Sequence, residues 1–144
     1  MTDAKYYTML ASVIALFGAT LYLLYLAVFP FPIPDYKNSP FPVKTPEVRP
    51  GDYVVYTIDY CRGEGIPPAV ITRELLNDVV ITLPEITSKF DEGCNMIDVA
   101  RDQIPSFAPP GTYKIRLTAH FQVSPLQNRV KIVETEEFTV LPPL

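Results

Sequence analysis

The sequence predicts an all-β sandwich of about seven strands, preceded by one N-terminal transmembrane helix and a proline-rich linker. Three observations carry the prediction. Residues 6–29 form a run without a charged side chain. Seven of the sixteen prolines fall within residues 30–50. Beyond Gly51 the apolar residues recur with a period of two, the mark of half-buried strands.

The uncharged run YYTMLASVIALFGATLYLLYLAVF explains an otherwise odd composition: 48% hydrophobic content and a mean hydropathy of +0.14 in an acidic chain of 144 residues. As a helix it covers about 36 Å, enough for a bilayer core with some tilt. Tyr6 and Tyr7 at one end and Tyr22, Tyr25 and Phe29 at the other suit the two headgroup interfaces. A cleavable signal peptide has a shorter apolar region and a small-x-small site, whereas this run ends Ala27-Val28-Phe29-Pro30. Residues 1–29 are therefore expected to be a retained anchor in membrane lipid. Ala11, Ala15 and Ala19 recur every four residues with Ser12 and Gly18 beside them, a small-residue face that permits close helix contact and a homo-oligomer.

Charge near the span is divided. Lys5 precedes it and Lys37 and Lys44 follow, a count that slightly opposes an external C-terminal part. The charged amino terminus and the two cysteines, which read best as an extracytoplasmic disulfide, favour an external, periplasmic or surface domain.

Residues 30–50 contain Pro30, Pro32, Pro34, Pro40, Pro42, Pro46 and Pro50. Because proline fixes φ and has no amide donor, this segment is expected to be an extended stalk, lifting the domain by up to roughly 60 Å. Its last part, residues 43–48, is a candidate first edge strand.

The domain proper is assigned to residues 51–144. Residues 112–123 alternate strictly, with Tyr113, Ile115, Leu117, Ala119, Phe121 and Val123 on one face. A loop through residues 124–128 leads into a last strand over residues 129–140. Pairing Val123 with Val130, Phe121 with Ile132, Ile115 with Phe138 and Tyr113 with Val140 sets a register that puts Arg116 opposite Glu137. Glu134 and Glu136 then fall on the apolar face, so a bulge or an exposed stretch is expected there. Residues 52–60, 69–76, 79–83 and 96–99 supply the other strands, with Asn77-Asp78 as a two-residue hairpin turn. The size and spacing are those of an immunoglobulin-like sandwich.

Arg49-Pro50-Gly51-Asp52-Tyr53-Val54 resembles the turn into the second strand of many bacterial and viral immunoglobulin-like domains. Ala108-Pro109-Pro110-Gly111-Thr112-Tyr113 is similar to the turn before their penultimate strand. That resemblance implies a tyrosine-corner-like position for Tyr113, its hydroxyl bonding back to nearby backbone. The layout of anchor, proline stalk and single domain resembles small single-pass membrane proteins encoded by bacteria and their phages. The chain departs from the antibody pattern: it has no Trp, and no cysteine in the strand of residues 112–123, so the usual inter-sheet disulfide is absent.

Cys61 and Cys94, the only two cysteines, allow one pairing, expected to pin an irregular stretch over residues 84–95 against the sheet. A metal site lacks further ligands and a redox motif needs closer cysteines. His120, the single histidine, lies in the polar phase of its strand, and no nucleophile elbow, phosphate loop or zinc-protease motif occurs. Asp91, Glu92 and Asp98 lack the regular ligand spacing of a calcium loop; together with Asp102 and the acids of residues 134–137 they read as a solvated acidic face. No catalytic residue, metal or cofactor is expected.

Residues 51–144 carry 8 basic against 13 acidic side chains, a net charge of −5 that argues against nucleic-acid binding. The expectation is a non-enzymatic, membrane-anchored binding or assembly module with an unidentified protein partner, an envelope or virion component among the options. Its contact surfaces are expected in the loops of residues 62–68 and 84–93, at Arg62, Glu64, Glu85, Lys89, Asp91 and Glu92, together with a free edge strand. The competing class is an exported hydrolase, or a regulator of an envelope enzyme, built on His120 and nearby acids.

Overall fold

The computed structural model describes residues 3–29, 32–88 and 90–144. Helix α1 covers Asp3–Val28, and none of its residues is buried by protein. It is long and apolar enough to cross a membrane. Its serine and threonine hydroxyls are satisfied within the helix: Thr8 donates to the Ala4 carbonyl (2.8 Å), Ser12 to Thr8 (2.9 Å) and Thr20 to Leu16 (2.8 Å). Such back-bonding removes the cost of placing these groups in an apolar medium.

Among the described residues nine strands follow: β1 Asp35–Tyr36, β2 Glu47–Val48, β3 Tyr53–Arg62, β4 Ala69–Leu76, β5 Val80–Ser88, β6 Gly93–Gln103, β7 Gly111–Ser124, β8 Gln127–Glu134 and β9 Phe138–Val140. One sheet has the order β1-β3-β6; the other runs β2-β9-β7-β4-β5, with β8 continuing alongside β7. Their inner faces make one core. Val54, Tyr56, Ile58 and Tyr60 of β3 contribute from the first sheet, and Ile71 and Leu75 of β4 with Tyr113, Ile115, Leu117, Ala119 and Phe121 of β7 from the second. The alternation read from residues 112–123 is thus the inward face of the central strand.

The expected stalk is not a stalk. Residues 35–48 lace the two sheets together along one side of the sandwich. Asp35 and Tyr36 pair with Cys61 and Tyr60 of β3, Phe41 bridges Thr135, Val43 bridges Tyr56, and β2 lies parallel to β9. The prolines fit because they are used only as acceptors: Thr57 donates to the Pro42 carbonyl (3.1 Å) and Thr139 to that of Pro46 (2.8 Å). Phe41 and Lys44 between them supply the donors, to Glu134 and Val55. Phe41, fully buried, stacks on Tyr56 at 6.2 Å and meets Tyr36 edge-on at 5.6 Å. Burying that ring is worth about 2–3 kcal/mol, which an extended spacer would forgo.

The hairpin register also differs. Phe121 faces Arg129, His120 faces Val130 and Arg116 faces Glu134, because Pro125-Leu126 makes a tight turn between paired Ser124 and Gln127. The expected longer loop shifts every pair. Strand β8 stops at Glu134, and β9 resumes with Tyr113 opposite Phe138. The interruption falls where Glu134 and Glu136 conflicted with the apolar face. The β4–β5 turn contains three residues rather than two, since Leu76 pairs with Val80. The stretch expected to be irregular is mostly strand: β5 extends to Ser88 and β6 begins at Gly93.

The two ends of the sandwich are distinct. At one, Ser124 donates to the Leu26 carbonyl (3.4 Å) and Gln127 to that of Ala27, so the β7–β8 turn abuts the last turn of α1. At the other lie the turns around Gly51, Asn77 and Pro105. Gly51 adopts φ 94°, a left-handed conformation natural to glycine, and its amide bonds the Ile104 carbonyl at 2.8 Å.

Candidate functional site: the open side of the sandwich

Opposite the side closed by residues 35–48, the sandwich is open. There β5 and β6 are the outer strands of their sheets, and among the described residues neither has a strand on its outer side. Each carries one extra residue relative to its partner. On β5 the extra residue lies between Leu83 and Ile86, at Pro84-Glu85; on β6 it lies between Ile97 and Ala100, at Asp98-Val99. Bulges and an edge proline interrupt a ladder and limit indiscriminate strand pairing.

The gap is filled by a buried polar network. Asp102 of β6 is inward-facing, its side chain 1% exposed, and it pairs with the guanidinium of Arg73 on β4, whose side chain is 12% exposed. Tyr56 of β3 donates its hydroxyl to the other carboxylate oxygen at 2.8 Å. The arginine also donates to the Pro84 carbonyl of β5, at 2.6 Å from Nη2 and 3.3 Å from Nε. Burial, and then the Asp102 charge, push the Tyr56 phenol far above its ordinary pKa, so it stays a donor. Four strands from both sheets thus meet through one ion pair. The expectation that Asp102 belongs to a solvated acidic face is corrected: Ala100, Asp102 and Ile104 share the inward phase, and that alternation is the sequence signal for it.

Above the network is a cleft of about 500 Å³, lined in part by Tyr53, Arg73, Pro84, Arg101, Gln103 and Pro105. Arg101 lies over the exposed Tyr53 ring at 5.5 Å, and Gln103 donates to the Gly51 carbonyl at 3.0 Å. Phe107, on the adjoining turn, is strongly exposed. A cation stacked on an aromatic ring, beside an apolar lip and edge backbone, suits recognition of a protein segment. Arg73, Asp102 and Tyr56 are engaged with one another and form the scaffold beneath the cleft.

The sequence-predicted contact residues fall elsewhere. Arg62 is the last residue of β3, and its guanidinium binds the Phe90 and Ile66 carbonyls, tying two connections together. Glu85 lies within β5 and accepts from Thr72 at 3.3 Å, so it is a strand residue and not part of a loop. Glu64 is exposed beside Pro32, in the region where the chain enters from the helix. Asp91 and Glu92 are exposed; the Asp91 amide bonds the Tyr60 hydroxyl at 3.0 Å. Lys89 lies outside the described residues. Of the described ones, Arg62, Glu64, Asp91 and Glu92 belong to the helix-proximal end, where Phe90 packs on Tyr60 at 4.6 Å. There burial, and to a lesser extent Tyr60, raise the Tyr36 phenol to about 12.

Cys61 and Cys94 form a disulfide between directly opposed residues of β3 and β6, with Cα atoms 4.0 Å apart. It links neighbours in one sheet and does not clamp an irregular loop. Tyr113 donates its hydroxyl to the Pro109 carbonyl at 2.9 Å. His120 has Val70 and Val130 as cross-strand neighbours, so no carboxylate faces it on either strand. Among the described residues no three His, Cys, Asp or Glu side chains converge on a metal-sized site. The helix residues Tyr6, Tyr7, Ala11, Ala15, Gly18, Ala19, Tyr22 and Tyr25 all lie on exposed helix.

The chain matches no protein-family model and none of the curated proteins with which it was compared.

Proposed function

We propose that the protein is a non-enzymatic, single-pass membrane protein that presents one immunoglobulin-like domain outside the cytoplasm for binding or assembly with another protein. The observation that carries the reading is the joining of two parts. An apolar 26-residue helix with no buried residue precedes a disulfide-bonded sandwich, whose open side bears a cleft and two strand edges without a partner strand among the described residues. Such a helix finds its cover in lipid, and a disulfide suits an oxidising compartment.

The immunoglobulin-like reading is supported by strand order. With β3 and β6 as strands B and E, and β4, β7 and β8–β9 as C, F and G, the pairs B–E and C–F–G fall in separate sheets, with β5 added beside C. The Tyr113 hydrogen bond to upstream backbone agrees. The partner surface is the cleft, with Arg101 and Tyr53 as its anchors and the adjacent edges of β5 and β6 available for backbone pairing.

The test places a photo-crosslinking amino acid at Tyr53 or at Val130 in the native host. Adducts from position 53 that Arg101→Glu abolishes, without adducts from position 130, support the cleft. Equal adducts from both positions, or none from 53, overturn it. Protease treatment of cells stripped of any wall and outer membrane, with the inner membrane intact, reads the side: cleavage of the domain supports display, and protection refutes it.

A further inference from the structure

We propose that the β7–β8 turn is a second membrane contact: Pro125 and Leu126 enter the lipid interface beside the end of α1, holding the domain down on the bilayer. The inference rests on the membrane-anchor reading above and adds to it where the domain sits. Its starting point is the pair of bonds from Ser124 and Gln127 to the Leu26 and Ala27 carbonyls. These are among the last carbonyls of a helix, which have no partner within it. If the uncharged run spans the hydrocarbon, with Tyr25 and Phe29 at its exit, Leu26 and Ala27 lie at the interface, and the turn bonded to them lies there too.

The chemistry of the turn fits that location. Leu126 is 54% exposed at its tip, where a soluble turn would carry a polar residue. Pro125 has no amide to satisfy. The Leu126 amide bonds the Ser124 hydroxyl at 3.2 Å, and the Gln122 side-chain amide donates to the Ser124 and Gln127 carbonyls at 2.5 and 3.4 Å. Among the described residues Gln127 Oε1 is buried without a partner, a cost the turn bears in water and in lipid alike; with its other groups satisfied as above and a leucine presented, leaving water adds little to that cost. The opposite turn, around Asp78 and Val79, is far away. Leu76 pairs with Lys114, ten residues along β7 from Ser124, or about 33 Å.

The chain contains no Trp, so each introduced one is a single reporter. Full-length Leu126→Trp, Val79→Trp and Phe17→Trp are reconstituted in phosphatidylcholine vesicles, with and without bromine on the upper third of the acyl chains. Leu126→Trp should emit at shorter wavelength than Val79→Trp and lose most of its emission in brominated vesicles, as at a depth of about 5–10 Å. Val79→Trp should be unaffected and Phe17→Trp quenched. Quenching at position 17 with none at 126 overturns the proposal and leaves the anchor standing. No quenching at 17 overturns the anchor and the proposal with it. Quenching at 79 equal to that at 126 overturns the stated orientation.

Discussion

Replacing Arg73 by methionine leaves the Asp102 carboxylate in the core with only the Tyr56 hydroxyl as partner. Removing one member of a buried pair costs about 3–5 kcal/mol, because the remaining charge is still desolvated. Arg73 borders a cleft open to water, which places the expected loss near the lower bound, about 3 kcal/mol. For a domain of this size that corresponds to a fall in melting temperature of about 12–24 °C. Asp102→Asn in the otherwise unchanged chain exchanges a charge-assisted bond for a neutral one and should cost about 2 kcal/mol. In the Arg73→Met background the same change removes the stranded charge while leaving Tyr56 an acceptor, and should restore stability. That reversal of sign is the diagnostic. It is read by melting the full chain in detergent micelles and following near-ultraviolet tyrosine dichroism, since Tyr56, Tyr60 and Tyr113 are buried while the helix tyrosines are exposed. If Asp102→Asn destabilises both backgrounds alike, the two residues are uncoupled and the network does not hold the open side together.

Cys61→Ser with Cys94→Ser releases a crosslink spanning 33 residues and should cost about 3–4 kcal/mol in the same melt; an unchanged midpoint would deny the crosslink a stabilising role. Tyr113→Phe keeps the ring against Phe138 and removes only the bond to Pro109, for an expected loss of about 1 kcal/mol, whereas Tyr113→Ala should cost about 3–5. Glu134 is held below its ordinary pKa, first by the hydrogen bond from Lys114 and then by that from Arg116, against an opposing effect of burial. Its contribution is therefore present above the unfolded value of about 4.3 and is lost as pH falls through the lower folded value. Glu134→Gln should lower stability at pH 7 by about 1 kcal/mol or less, a difference that vanishes in acid; a difference that grows on acidification would refute the assignment.

Much of the sandwich was legible because its central strands obey a simple period. Residues 69–76 coincide with β4, and residues 112–123 with all but the ends of β7. Legibility failed where two rules competed. Proline density pointed to polyproline II, but tertiary pairing used the proline carbonyls as acceptors and buried Phe41 and Pro34, so the spacer became edge structure. The hairpin register failed because an apolar match at one spacing outweighed the tight turn that Pro125-Leu126 makes. The cleft was not legible for a different reason: Asp102 and Arg73, which lie beneath and beside it, are charged residues at inward positions. Composition assigns such residues to the surface, although the alternation through Ala100 and Ile104 marks the inward phase.

The contrast between the two long sides of the sandwich follows from the same chemistry. Residues 35–48 can close one side because a chain entering from the helix end supplies donors between its prolines to both sheets in turn. Among the described residues no further segment pairs along the outer side of β5 or β6, so closure there falls to side chains. An apolar plug would leave the edge carbonyl of Pro84 without a donor. An arginine reaches it while its carboxylate partner and Tyr56 hold the charge in place. The side closed by the backbone keeps a smaller recess of about 300 Å³ beside Pro46, Glu47 and Phe138, whereas the side closed by side chains keeps the cleft of about 500 Å³ above the plug. At the cleft, depth and charge are set by individual side chains, Arg73 and Arg101 among them, that substitution can change without dismantling a strand.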